Sequence, residues 1–160
     1  MRIDIVAIGR LKSGPERELF LRYQERMQGM GRSLGLSGPQ VTELSESVAK
    51  RDVDRKADEG RAILAALPEG TTVVALDENG RHYTSEVFAN RIGHLRDNGM
   101  RVLSFVIGGA DGLHDSVLKR ADYSLCLGVM TLPHQLVRVV LAEQLYRAAT
   151  ILAGHPYHRV

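Results

Sequence analysis

Short apolar runs alternate with segments of helical period along the chain, and no other feature narrows the fold so far. Met1–Ile8 is a β-branched run ended by Gly9. Leu19, Phe20, Tyr23 and Met27 then fall at helical spacing behind Pro15, with Ser13 and Glu16 in a capping-box pattern. Gly29–Pro39, rich in Gly and Ser, reads as a connection, and Val41–Leu44 as a short strand. A charged helix follows, with Val53, Ala57, Gly60, Ile63, Leu64 and Leu67 on one face; its mixed-sign run Lys50–Lys56 reads as a solvated surface. Pro68-Glu69-Gly70 ends that helix, Thr71–Leu76 is an apolar strand of the buried kind, and Asp77-Glu78-Asn79-Gly80 is turn chemistry. Thr84–Asp97 reads as a helix, Arg101–Ile107 as a strand, and Gly108–Gly112 as a loop into a short helix through Lys119. Tyr123–Leu127 is the last strand, and about Gln135–Ala153 a long final helix. Such a pattern predicts an α/β sandwich with a mostly parallel sheet.

The alternation runs through all 160 residues without a linker or repeat, which predicts a single domain over 1–160. Cys126 is the only cysteine, so an intramolecular disulfide framework is excluded and a reducing cytoplasm is the expected location. No cationic-then-apolar leader opens the chain, and no apolar run approaches the ~20 residues of a membrane span.

In open α/β sheets, ligands sit beyond the carboxyl ends of the strands. Three segments fall there: Leu76–Gly80, Ile107–Gly112 and Leu127–His134. Gly108-Gly109-Ala110-Asp111-Gly112 is either a ligand loop or a plain strand-to-helix turn. No Gly-x-Gly-x-x-Gly follows the first strand, and no Gly-Lys-Ser/Thr closes a phosphate loop. Asp111 also stands where a helix N-terminus would otherwise welcome a phosphate. A ligand without phosphate, a cationic one included, suits these loops better. No pair of His stands at i, i+4 on a helix, so no metal site is expected, and Cys126, Ser104 and Ser124 lie inside strand patterns rather than on nucleophile elbows.

The final helix is apolar over most of its circumference, from Leu136 and Val137 to Ile151 and Leu152. A helix of this kind is buried within its own domain or against a second subunit, and a homodimer through it is expected. Glu143 and Arg147 form an i, i+4 pair on its polar stripe. Arg138 projects from an apolar face, either paired to a carboxylate in the interface or available to a substrate. Of 21 basic residues 17 are Arg, a bias that fits phosphate recognition or merely base composition. From Thr131 onward, Arg138, Arg147 and Arg159 against Glu143 carry the whole net charge of +2, together with His134, His155 and His158. The tail 154–160, Gly-His-Pro-Tyr-His-Arg-Val, is dense in groups that hold phosphate, stack on a base or exchange a proton.

These segments resemble the ribosomal RNA large-subunit methyltransferase H family, of the SPOUT class of S-adenosylmethionine-dependent enzymes. The matching pieces are Leu76-Asp77 with Gly80, Ile107-Gly108-Gly109 with Gly112, Thr131-Leu132-Pro133-His134 with Leu136-Val137-Arg138-Val139, Ala142-Glu143 with Leu145-Tyr146-Arg147, and His155–Arg159. The likeness runs the full length and is weakest over 27–56. It implies an α/β knot in which the C-terminal helix is threaded through a loop as a trefoil, against the usual rule. It further implies a homodimer whose partner completes the site. The implied substrate is pseudouridine 1915 of 23S rRNA, in helix 69, methylated at N3 on the assembled ribosome. Carried over by position, Leu76, Gly108, Gly109, Gly128, Val129, Met130, Thr131, Leu132 and Pro133 contact S-adenosylmethionine.

The displacement at a sulfonium methyl needs no metal, but the base nitrogen must be held near the methyl carbon and must lose its proton. His158 is expected to assist deprotonation, Arg159 to hold phosphate or the developing oxyanion, and Tyr157 to position the base. Arg138 is a further catalytic candidate. Two alternatives stay open: an enzyme of the same fold acting on tRNA or a small molecule, and a ribosome-associated factor without activity.

Overall fold

Five parallel strands form one sheet in the order β2-β1-β4-β3-β5. The structure is a computed structural model and describes residues 1–159; Val160, the last residue of the expected tail, lies outside them. The elements follow as β1 (Arg2–Ile8), α1 (Pro15–Gly31), β2 (Ser37–Leu44), α2 (Asp52–Ala66), β3 (Thr72–Arg81), α3 (Ser85–Asp97), β4 (Val102–Ile107), α4 (Asp115–Arg120), β5 (Tyr123–Leu125) and α5 (His134–Leu152), with a 3-10 turn at Arg32–Leu34. Among the described residues no helix is long and apolar enough to cross a membrane.

Both faces of the sheet are covered, which is why its strands read as unbroken apolar runs. Ile3, Ile5, Ala7, Val74, Leu103, Phe105 and Ile107 point to one face and pack under α1, α3 and α5. Val6, Ile8, Val73, Ala75 and Val106 point to the other and meet Ile63 of α2 and Val117 of α4. Ser104, fully buried in β4, has its hydroxyl 2.8 Å from that of Thr71, so it serves the core.

Four boundaries depart from the sequence pattern. The N-cap of α1 is Gly14, one residue after Ser13; it has no side chain with which to cap, so no capping box forms. β2 begins at Ser37 rather than Val41 because it is an edge strand, where Gly38 and Pro39 are tolerated beside a register shift. The turn expected at Asp77–Gly80 is a bulge inside β3, whose Leu76 and Arg81 both register with Leu125. Gly80 is required there: a Cβ would lie 2.6 Å from the Leu125 carbonyl carbon and 2.8 Å from the Cys126 nitrogen. β5 stops at Leu125, since the next amide, of Cys126, donates to the Arg81 carbonyl.

The apolar circumference of α5 is met largely within the chain. Val139, Leu141, Ala142, Leu145, Ala148 and Ala149 are buried in the cluster that joins α5 to α1, α3 and the sheet. A second subunit is therefore not needed to account for that pattern.

Candidate active site

The carboxyl ends of β3, β4 and β5 open into a cleft of about 640 Å³. Leu76 comes from β3, Gly108 and Gly109 from the loop after β4, and Gly128–Leu132 from the loop after β5. Eight of the nine residues expected to hold a cofactor thus line one cavity; Pro133 does not, and instead caps α5. Ile107, Leu113, Leu125, Leu127 and Val137 add apolar wall. Such a volume and lining suit a small organic ligand. Val129 and Met130 are 91% and 80% exposed, so the third loop presents apolar side chains to whatever arrives.

The glycines act by closeness. A Cβ on Gly108 would meet the Gly112 carbonyl carbon at 2.8 Å, so the loop 108–112 closes on itself only with glycine there. Its far end is held by Arg55 of α2, whose Nε and Nη2 bond the Asp111 carboxylate at 2.7 and 3.0 Å. That guanidinium keeps the Asp111 carboxyl below its ordinary range. Part of the Lys50–Lys56 run is therefore a brace for the loop rather than a solvated face. Asp111 caps no helix either; α4 begins at Asp115 behind His114. Beside the cleft, His134 bonds the Ile8 carbonyl at 2.7 Å through Nε2, and burial pushes its ring below the ordinary imidazole value.

Arg138 goes elsewhere. It is 2% exposed, pairs with Glu43 of the same chain at 2.8 Å, and donates from Nη2 to the carbonyls of Ile8 and Gly9. The expected carboxylate partner exists, but inside the chain rather than across an interface. The geometry is that of an anchor between α5, β1 and β2.

The tail forms a second cluster, on α5 and the start of α3. His158 Nε2 is 2.7 Å from Oε1 of Glu86, and its Nδ1 is 3.4 Å from Nη1 of Arg147. Glu143 gathers the rest: its Oε1 accepts from Arg147 Nε at 3.0 Å and from the Tyr157 hydroxyl at 3.0 Å. The Tyr157 ring packs against Tyr146 at 4.7 Å and under the Arg147 guanidinium at 4.9 Å. Burial first, then Tyr23 and Glu143, hold the Tyr157 phenol above its ordinary value, so it is a neutral donor. Glu86 is pulled from 4.5 to about 2 by its own backbone amide first, then by the Thr84 hydroxyl and His158. Arg159 is exposed. None of the described tail residues lines the cleft.

Sequence reasoning identified Glu143 only as a helical ion pair and did not single out Glu86 or Arg55. Glu86 is 72 positions from His158 and Arg55 56 positions from Asp111, separations that carry no local signal. Among the described residues no cluster of His, Cys, Asp and Glu is arranged to hold a metal.

A family model described as "Predicted SPOUT methyltransferase" matches residues 1–158. A protein of Methylobacterium nodulans is 57% identical over 159 residues, covering 99% of this chain and 98% of its own. One from Xanthobacter autotrophicus is 54% identical, with 99% of each chain covered, and one from Rhizobium etli is 53% identical over the whole of both. All three bear the name "Ribosomal RNA large subunit methyltransferase H".

Proposed function

From a chain that belongs to the SPOUT methyltransferases, and within them to the ribosomal RNA large subunit methyltransferase H family, we propose an enzyme that methylates N3 of a pseudouridine in helix 69 of 23S rRNA. The methyl donor is S-adenosylmethionine, and the acceptor is presented by the assembled ribosome. One observation carries the reading furthest: the cofactor candidates share one cleft, whereas the proton-handling side chains of the tail stand outside it. A site of this kind becomes complete when the cleft of one protomer meets the tail of another, which is the reason for a homodimer.

The residues present suit the cofactor. The cleft has an apolar wall from Leu76, Ile107 and Leu125 to receive an adenine, and Gly128 has open space where a side chain would stand. Asp77 and Glu78 line it too, which favours a cation over a phosphate. When bound, S-adenosylmethionine supplies an electrophilic methyl on a sulfonium sulfur. Leu76, Gly108, Gly109 and Gly128–Leu132 hold it, with Pro133 fixing where α5 begins.

The acceptor imide must lose a proton to become a good nucleophile. With Glu86 accepting from Nε2–H of His158, the ring nitrogen left to take that proton is Nδ1, beside Arg147. Tyr157, rigid between Tyr146 and Arg147, orients the base, and exposed Arg159 binds phosphate or the developing oxyanion. Arg138 is read as a positioning residue, because both terminal nitrogens of its guanidinium are held by Glu43 and two carbonyls.

The route of the chain supports a C-terminal trefoil knot. From the edge strand β5, residues 126–133 return past the ends of β3 and β4, and α5 begins against the end of β1 through His134 and Arg138. Residues 1–159 are read as one catalytic domain, with the tail as its functional end.

The test is methyl transfer from labelled S-adenosylmethionine to intact ribosomes, naked rRNA and tRNA, with the product nucleoside identified by mass spectrometry. Label only in ribosomes, as 3-methylpseudouridine, is expected. Label in tRNA, or none from a chain that binds the cofactor, overturns the substrate assignment.

A further inference from the structure

Glu59, on α2, is 6% exposed, and half of its carboxylate is unexplained. Oε1 accepts from the Ser47 amide at 3.0 Å. Oε2 is sealed from solvent and has no hydrogen-bond partner. A buried carboxylate oxygen in that state is costly, and its persistence calls for a compensating charge or donor in some state of the protein.

The direction in which Oε2 faces identifies where that charge comes from. A Cβ built on Gly109 would lie 2.6 Å from Oε2 and 3.1 Å from both Cδ and Oε1 of Glu59. The space a side chain would fill at position 109 is thus occupied by this carboxylate, pressed against the back of a residue whose front lines the cleft. Arg55, one turn earlier on α2, is committed to Asp111 through both arms of its fork. Of the basic groups lining the cleft, Lys56 and His134, the second is held towards its neutral form by burial. The wall behind Gly109 therefore carries a negative charge that the protein itself leaves half-compensated.

We propose that Glu59 is the charge-selecting residue of the cleft, favouring a sulfonium ligand over the neutral thioether that remains once its methyl has been transferred. The inference rests on the reading of the cleft as an S-adenosylmethionine site. Donor and product differ there by one methyl and one positive charge, so a fixed anion behind the wall separates them where shape barely does. At a separation of about 8–25 Å and an effective dielectric near 20, one such charge is worth roughly three- to thirtyfold in affinity. Product release and cofactor exchange then follow from the loss of the ligand's charge, without a moving part.

The test is calorimetric titration of the wild-type protein and Glu59→Gln with S-adenosylmethionine and with S-adenosylhomocysteine. The wild type is expected to bind the sulfonium form at least about threefold more tightly. Glu59→Gln is expected to lose roughly three- to thirtyfold for the sulfonium form and to bind the thioether unchanged within about twofold. Equal losses for both ligands, or none for either, overturn the proposal and leave Glu59 a structural support of the loop. A wild-type protein that binds neither ligand instead sinks the cofactor reading beneath it. Should Glu59→Gln fail to fold, Asp77→Asn with Glu78→Gln decides: the preference for the sulfonium form is expected to persist there, and its loss would assign the selection to those two carboxylates and overturn the proposal.

Discussion

Arg138 of α5 and Glu43 of β2 form an ion pair at 2.8 Å that is buried on one side only, the arginine side chain being 2% exposed and the glutamate 29%. The same guanidinium holds the carbonyls of Ile8 and Gly9, and Glu43 also accepts from the Leu11 amide. The pair ties the last helix to the first two strands, one turn from the start of α5. Arg138→Ala removes a buried cation and leaves the Gly9 carbonyl without its donor, while Glu43 keeps the Leu11 amide and Ile8 keeps His134. It is expected to destabilise the fold by about 2–4 kcal/mol, through the unpaired carbonyl and the space left behind, read as a shift in the urea midpoint. An Arg138→Ala protein of wild-type stability that has lost activity would instead return this residue to the catalytic group.

Glu86 makes acid stability a readout of the start of α3, to which the tail adds through His158. Its carboxyl lies at about 2 in the folded chain against an ordinary 4.5. The contribution is complete above 4.5 and is lost as pH falls from there towards 2, where the folded form also takes up the proton. Glu86→Gln is expected to flatten that part of the stability curve relative to wild type. Urea midpoints measured at intervals from pH 6 to pH 2 would reveal it, and superimposable curves would contradict it.

His158→Ala is expected to lower kcat by roughly 10²–10⁴-fold if His158 is the general base, and the Glu86→Gln chain by a smaller factor through the same ring. Single-turnover methylation of ribosomes under saturating cofactor is the measurement. A loss under about threefold for His158→Ala removes the role.

Mixing two inactive chains tests whether cleft and tail come from different protomers. Gly109→Val drives a side chain into Glu59, where even a Cβ would lie 2.6 Å from Oε2. Unfolded together with His158→Ala and refolded, half of the dimers are mixed, and each carries one intact site. About a quarter of wild-type activity is then expected to return. No recovery from verified mixed dimers would place both halves of the site in one chain.

Gly80→Ala probes the bulge in β3. The added carbon would stand 2.6 Å from a backbone carbon of Leu125, which cannot swing aside as a side chain can. A loss of about 1–3 kcal/mol is expected, with the loop after β5 disturbed and cofactor affinity lowered. Thermal melts and titration on the same sample would show whether both effects appear together.

The class of fold and most of the cleft were legible in the sequence because both depend on local regularities. Alternate-face burial in β1, β3 and β4 makes apolar runs, and the glycine loops fall at strand ends, where parallel sheets collect ligands. The segments Leu76–Gly80, Ile107–Gly112 and Leu127–His134 stand out for that reason, whereas Leu76, Gly109 and Gly128–Leu132 are singled out within them by the family resemblance alone. The start of β2, with a proline in an edge strand, and the bulged end of β3 were among the boundaries that escaped, because a breaker's effect depends on which neighbour the strand has.

Which side chains face one another was decided by tertiary structure alone. The sequence contains Arg138, Glu59, Glu86 and His158, but not the 95 positions between Arg138 and Glu43 or the 72 between His158 and Glu86 collapsing to hydrogen-bond distance. Arg138 reads equally as paired or as available, because helical periodicity shows which face a residue occupies, not what lies opposite. Nothing in the charged sequence of α2 sets Glu59 apart; the packing of that helix against the loop after β4 seals it. Periodicity and turn chemistry act over a few residues and are written in order along the chain. Pairing of distant charges is set by the sheet order β2-β1-β4-β3-β5, which exists only once the chain has folded.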